Sequence, residues 1–285
     1  MILESAGLYA WPIFGATILA CVLALVGAHL GSRGQTLQTL CVSQGAELGG
    51  LASILVSLLA GASFESLSPG SEVFGALAGA LLCGVMARVV GRVRQSSRTT
   101  TLFVLWLSLV ACMYLAIALH PLLESHFARI FLGDVSTMTS SEGRWTAGLG
   151  CIALLWCVLS EKRLTRLTFD IAVFRQTTSR ESRFDDLFLL SITAVSTWSM
   201  GFLFSCACLF IPTAVIAAVG HQTSRQHHLL CAASALCAVP LGFLGSLAGN
   251  HIPTVPLITL VLVLFSFSFA GVLRIFTRSP SLEVG

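Results

Sequence analysis

Residues 37–56 read LQTLCVSQGAELGGLASILV, and this stretch decides the fold. It carries a single charge, Glu47, and it is as long as the roughly 20 apolar residues that an α-helix needs to cross a membrane. A carboxylate near mid-membrane costs about 2.5–3.5 kcal/mol on insertion scales, so it usually faces a polar cavity or a partner and marks an ion or proton path. The stretch therefore predicts a transmembrane helix and suggests transport.

The composition of the whole chain is typical of a polytopic membrane protein. Of its 285 residues, 55% are hydrophobic and 10% are charged, whereas soluble domains contain about 25% charged residues. The mean hydropathy is +0.89. Alternating strand patterns of the barrel type are missing, so helices must satisfy the backbone hydrogen bonds. We expect an all-α transmembrane bundle that forms one domain over residues 1–285.

The apolar stretches predict about nine spans, with eight as the alternative. Clusters of basic residues at 88–98 and 162–183 belong in the cytoplasm by the positive-inside rule. Residues 186–220 are too long for one ordinary span and tight for two, which predicts a turn near Met200-Gly201 or Ser205. The predicted spans are 8–31, 37–61, 73–91, 101–119, 145–160, 186–203, 204–219, 229–248 and 256–276.

Missing motifs exclude several classes of function. The sequence has no phosphate-binding loop, no nucleophile elbow and no His-Glu-x-x-His pair, so it is not expected to be an enzyme or to hydrolyse ATP itself. Its ten cysteines lie almost entirely within apolar stretches, where we expect them to pack as small hydrophobes, without disulfides or a thiolate metal site. The basic clusters adjoin spans and carry no interleaved aromatic residues, so nucleic acid is not expected as a partner.

Five stretches together resemble a known family. They read QTLQTLCVSQGAELG (35–49), FLGD (131–134), FDIAVFR (169–175), LFIPTA (209–214) and IPTVPL (252–257). In this order and spacing they resemble the integral membrane subunit of bacterial metal-ion ABC importers, the zinc, manganese and iron permeases. The resemblance implies a type II importer-like permease in the bacterial cytoplasmic (inner) membrane, surrounded by membrane lipid. It also implies a homodimer or a pair with a second permease, a separate ABC ATPase subunit and an extracytoplasmic metal-binding protein. The divalent metal ion would be cargo, with no cofactor bound by this chain.

The chain departs from the family pattern in its second span. The Asp and His of the family motif fall on Thr36 and Leu40, and its Pro falls on Gln44. An acidic residue stands at Glu47, where the family has a small or apolar one. The resemblance therefore identifies a divergent member, and it does not choose among zinc, manganese and iron.

The candidate substrate pathway is lined by Ser43, Gln44 and Glu47. Gln44 and Glu47 are three residues apart and share a helix face, with Leu40 one turn earlier. Oxygen ligands on this face could pass a divalent cation, and Glu47 is the candidate metal ligand. The alternatives are a protonated Glu47 hydrogen-bonded to a neighbouring span, or a carboxylate in a dimer seam.

Two outer loops carry further candidates that could receive an ion, since imidazole and carboxylate groups suit zinc or manganese. Each residue taken alone is better explained as a solvated polar side chain that docks the binding protein. The candidates are His120, Glu124, His126, Asp134, Asn250 and His251.

The cytoplasmic loop that contains residues 169–183 joins an apolar patch to charges, a pattern that suits a groove in a partner protein. By the resemblance the partner is the ATPase, coupled through Phe169, Asp170, Phe174 and Arg175. The alternative is an amphipathic helix on the membrane surface.

For the whole chain, a secondary carrier driven by a proton or ion gradient through Glu47 is the rival function. A membrane-embedded assembly protein is a third.

Overall fold

The computed structural model describes residues 2–61, 69–91, 95–120, 123–124, 127, 131, 133, 135, 138–174, 180–219, 223–249 and 252–277. Within these residues the chain forms ten main helices and no strand, so the prediction of an all-α fold is confirmed. The helices are α1 (Ile2–Ser32), α2 (Thr36–Leu59), α3 (Pro69–Gly91), α4 (Gln95–Leu119), α5 (Ser140–Leu159), α6 (Glu161–Phe174), α7 (Arg180–Met200), α8 (Phe202–Ala217), α9 (Ser224–Ala248) and α10 (Thr254–Thr277).

Six of these helices are long and apolar enough to cross a membrane, namely α1, α2, α3, α4, α9 and α10. The number rises to seven if α5 and α6, which meet at a bend, are counted as one span. The structure therefore does not confirm the predicted count of nine. Helix α8 has 16 residues, which at about 1.5 Å per residue is shorter than a hydrocarbon core about 30 Å thick.

Two boundaries differ from the prediction. Helix α5 begins at Ser140, five residues before the predicted start of the span, and places the charges of Glu142 and Arg144 inside the helix. The cytoplasmic segment predicted as a loop contains the helix α6 instead. Apolar residues of α6 recur at helical spacing, and Leu164 among them is completely buried.

The chain divides into two compact units. The first contains Met1–Gly31, Met138–Leu159 and Ala207–Gly285. Helix α1 is its most buried span, and a Cβ atom at Gly27 would lie 1.9 Å from the carbonyl oxygen of Leu209, so α1 and α8 meet backbone to backbone. The second unit contains Ser32–Thr137 and Ser160–Cys206, and it holds α2, α3, α4, α6 and α7.

Helices α2 and α3 form a hairpin, here called the α2–α3 hairpin, in which glycines let the two backbones touch. A Cβ atom at Gly49 would lie 2.2 Å from the Gly75 carbonyl oxygen, and one at Gly79 would lie 2.1 Å from the Gly45 carbonyl oxygen. Small residues at such positions allow close approach of helices in membranes. The hairpin fixes the position of α2 and of the polar residues that it carries.

Helices α7 and α8 are separated by the single residue Gly201, whose φ of 88° is a conformation that favours glycine. The hydroxyl groups of Ser196 and Ser205 lie 2.7 Å apart across this break. The break falls in the segment for which the sequence predicts a turn.

Candidate functional site

The three candidate pathway residues of α2 are buried in the second unit. Ser43 and Gln44 have no exposed surface, and Glu47 is 1% exposed. The Gln44 side-chain nitrogen Nε2 donates to Glu47 Oε2 at 2.8 Å and to the Met113 sulfur Sδ on α4 at 3.3 Å. The structure therefore brings Gln44 and Glu47 together, as their spacing predicts, and places a thioether from α4 beside them.

Each of these three residues keeps one polar atom without a hydrogen-bond partner among the described residues: Ser43 Oγ, Gln44 Oε1 and Glu47 Oε1. A buried polar atom left unpaired costs about 1–3 kcal/mol. Three such atoms on neighbouring residues of one helix form a patch of unused oxygen ligands, here called the α2 oxygen patch. Hard oxygen donors of this kind suit a small divalent cation or a proton.

Apolar side chains of α2 and α4 enclose the α2 oxygen patch. On one side, Cys41 packs with Leu102 and Leu109, and on the other, Leu51 and Met113 pack in a second buried cluster. Apolar side chains of α2 and α4 therefore pack before and after the patch along these two helices. Helix α4 contacts the patch through Met113, which accepts a hydrogen bond from Gln44.

The outer-loop candidates are only partly described. His120 directly follows α4 and is half-buried, and its Nδ1 has no hydrogen-bond partner among the described residues; Glu124 is exposed. His126, Asp134, Asn250 and His251 lie outside the described residues. Within the part of the chain that is described, no three His, Cys, Asp or Glu side chains lie close enough together to hold a metal ion.

The sequence profile of the ABC 3 transport family matches residues 7–272, almost the whole chain. The chain belongs to the ABC 3 transport family. It is thus a multi-pass membrane protein and the permease subunit of an ABC importer, as the five resembling stretches predict. No match was found among curated proteins.

Two solved structures share the fold of this ABC 3 chain. One is PsaBC from Streptococcus pneumoniae in complex with Fab, at 18% identity and a TM-score of 0.71, with 94% of each chain covered. The other is an ABC transporter described as metal-chelate type, in an inward-facing conformation. Its identity is 17% and its TM-score 0.59, and the match covers 93% of this chain and 86% of that chain. At these identities the likeness shows the fold alone.

The candidate coupling residues of the permease lie on and after α6. Phe169, Asp170 and Phe174 belong to the last turns of this helix, whereas Arg175 lies outside the described residues. The first two turns of α6 carry charged residues and the buried Leu164. The docking role predicted for residues 169–183 therefore stays a prediction.

Sequence reasoning missed a network of ion pairs in the second unit. Asp186, near the start of α7, accepts from Arg33 Nη1 at 3.0 Å and from Arg88 Nη2 at 3.1 Å. Its neighbour Asp185 pairs with Arg163 of α6. Burial, the largest influence on Arg33, lowers the pKa of its guanidinium, while the two aspartates act in the opposite direction. The sequence did contain a signal for this network, because all five of its charged residues lie close to predicted ends of spans.

Proposed function

We propose that this permease receives a divalent metal ion, zinc, manganese or iron, from an extracytoplasmic binding protein and passes it into a bacterial cytoplasm. ATP is hydrolysed by separate ABC ATPase chains that dock at α6 and the residues after it. The permease acts as a homodimer or pairs with a second permease in the inner membrane. Family membership over residues 7–272 supports the transport class.

The α2 oxygen patch is the observation that most directly supports a cation as the transported substrate. Glu47 supplies a carboxyl group with a free oxygen, and Gln44 and Ser43 supply neutral oxygens beside it. Among the common metal ions, carboxylate and carbonyl ligands favour manganese over zinc, which prefers nitrogen and sulfur. The Met113 sulfur accepts a hydrogen bond from Gln44, whereas the three oxygens of the patch have no partner among the described residues.

The position of the patch supports the proposal that this chain transports a cation without the ligands of the family motif. Glu47 lies seven residues after Leu40 and eleven after Thr36, which is about 10 Å and about 16 Å along the helix axis at 1.5 Å per residue. We propose that Glu47 replaces those ligands at a greater depth. The ion then passes the patch when α2 and α4 separate during the transport cycle.

The test is reconstitution of the permease in proteoliposomes with its cognate ATPase and binding protein. ATP hydrolysis and ion uptake are measured separately for Zn²⁺, Mn²⁺ and Fe²⁺. We expect one of these ions to stimulate hydrolysis and to be taken up only with ATP. Uptake that needs an ion gradient and is abolished by ionophores, without ATP, would instead establish the secondary carrier.

The variant Glu47→Gln tests the role of the patch directly. Its amide oxygen can still accept the hydrogen bond from Gln44, so insertion and ATPase binding should be retained while ion uptake is lost. The matched control is Glu72→Gln, the same substitution in the first turn of α3, which should leave uptake unchanged. Normal uptake by Glu47→Gln would show that Glu47 has only a structural role.

A further inference from the structure

Asp186 joins both helices of the α2–α3 hairpin at the same end. Arg33 lies three residues before the start of α2, and Arg88 lies in the last turn of α3. One carboxylate oxygen of Asp186 binds each arginine, so the carboxylate bridges them. The Arg33 side chain has no exposed surface and that of Asp186 is 18% exposed, whereas Arg88 is 40% exposed. The Arg33–Asp186 pair is thus the buried centre of the network, where solvent screens the charges least.

Two further contacts join this centre to α6. Arg33 Nε donates to the Thr168 hydroxyl oxygen at 3.2 Å, and Thr168 belongs to α6. Arg163, also on α6, pairs with the completely buried Asp185 beside Asp186. A displacement of α6 therefore acts on Arg33 and on the start of α7 at once.

The network contains an unused donor and an unused acceptor. Among the described residues, Arg33 Nη2 and Asp185 Oδ2 are buried and have no hydrogen-bond partner. A purely structural ion network is most stable when every buried donor and acceptor is paired. Arg33 and Asp185 also interact electrostatically, so Asp185 offers Arg33 a second carboxylate beside Asp186.

We propose that Arg33 and Asp186 are positioning residues that transmit movement of α6 to the α2–α3 hairpin. This inference rests on the proposed function, because α6 is there the docking site of the ATPase. Neither residue contacts the ion. Arg33 acts through the start of α2, the helix that carries Glu47, so its loss should separate ATP hydrolysis from transport rather than abolish either binding or hydrolysis.

The experiment measures ions taken up per ATP hydrolysed in the reconstituted complex, using whichever of Zn²⁺, Mn²⁺ and Fe²⁺ the unaltered complex transports. The variants are Arg33→Gln, Arg33→Lys and Thr168→Val, with Arg98→Gln as a matched control on α4 outside the network. Co-purification of the ATPase is measured for each. If the unaltered complex shows no ATP-dependent uptake, the proposed function fails, and this result is distinct from a failure of the transmission role.

Arg33→Gln should retain ATPase binding and hydrolysis but lower uptake per ATP by roughly fivefold or more, the lower end of ordinary coupling between sites. Arg33→Lys keeps the charge opposite Asp186 and should recover part of the loss. Thr168→Val removes the hydrogen bond from Arg33 and the bond that the Thr168 hydroxyl donates to the Leu164 carbonyl oxygen within α6. It changes the shape of the side chain little and should give a smaller loss than Arg33→Gln. If Arg33→Gln fails to insert into the membrane, uptake per ATP in Thr168→Val decides whether the proposal holds. Unchanged uptake per ATP in the inserted variants, or an equal loss in Arg98→Gln, would overturn the proposal.

Discussion

The substitution Gly79→Ala tests the backbone contact that holds α2 in place. The added Cβ atom would lie 2.1 Å from the Gly45 carbonyl oxygen and 2.8 Å from the Gly49 Cα atom. Ordinary van der Waals contact begins at 3.4 Å. The two helices must therefore separate by about 1.3 Å, the difference between 3.4 Å and the 2.1 Å distance to the Gly45 carbonyl oxygen. Both obstructing atoms belong to the backbone, and no side-chain rotation can relieve the overlap.

The expected cost follows from these distances. Adding a methyl group to a tightly packed interior costs about 1–3 kcal/mol, and a gap of 0.5–1 Å between packed surfaces already forfeits about a quarter to a half of their dispersion attraction. Alanine is the better helix former by about 1 kcal/mol, which offsets part of this cost. We expect the free energy of unfolding to fall by about 1–2 kcal/mol.

The control is Gly148→Ala on α5, where no atom of the described residues lies within 4 Å of the added Cβ. The same substitution should stabilise the protein there by about 0.5–1 kcal/mol, since it only removes the flexibility of glycine. Thermal unfolding of both variants in one detergent at one scan rate measures the difference, at roughly 2–4 °C per kcal/mol. A melting temperature for Gly79→Ala equal to that of Gly148→Ala would refute the close contact.

Three further predictions concern the site, the docking segment and the helix break. The double variant Gln44→Met, Glu47→Met keeps the side-chain shapes and removes the unpaired oxygens of these two residues. Its melting temperature should therefore be unchanged, or higher by an amount equivalent to about 1 kcal/mol, while ion uptake is lost. A large loss of stability would contradict this prediction. Charge reversal at Asp170 or Arg175 should reduce co-purification of the ATPase, and intact complexes would exclude docking there. Gly201→Ala, with φ at 88°, should lower the free energy of unfolding by about 1–3 kcal/mol in denaturant titration, and an unchanged value would show the strain to be absent.

The sequence was sufficient for the helical class and for most of the long spans because both depend on hydrophobicity alone. The stretch at residues 37–56 lies within α2, and the three-residue spacing of Gln44 and Glu47 correctly predicts their contact. Such a contact is local, since it needs only the helix repeat. The roles of these residues in transport and those of the outer-loop residues remain predictions.

Long-range pairings could not be predicted in the same way. Arg33 and Asp186 are 153 positions apart, and no periodicity of the sequence connects them. The prediction described the segment in which α6 forms only as a cytoplasmic connection between spans, although Leu164 and other apolar residues recur there at helical spacing. Met113 was missed beside Glu47 for a similar reason: its position on the facing side of α4 depends on the packing of two helices.

The glycine contacts and the ion network together limit how Glu47 can be exposed. Backbone contact at Gly45 and Gly79 opposes sliding of α2 along α3, so we expect the α2–α3 hairpin to move as one body. Asp186 binds an arginine at the matching end of each helix of this hairpin. A force applied there would therefore tilt the hairpin as a whole against α4, whose Met113 closes the α2 oxygen patch. Under the proposed pathway, the contact between α2 and α4 is the one that we expect to open when the ion passes.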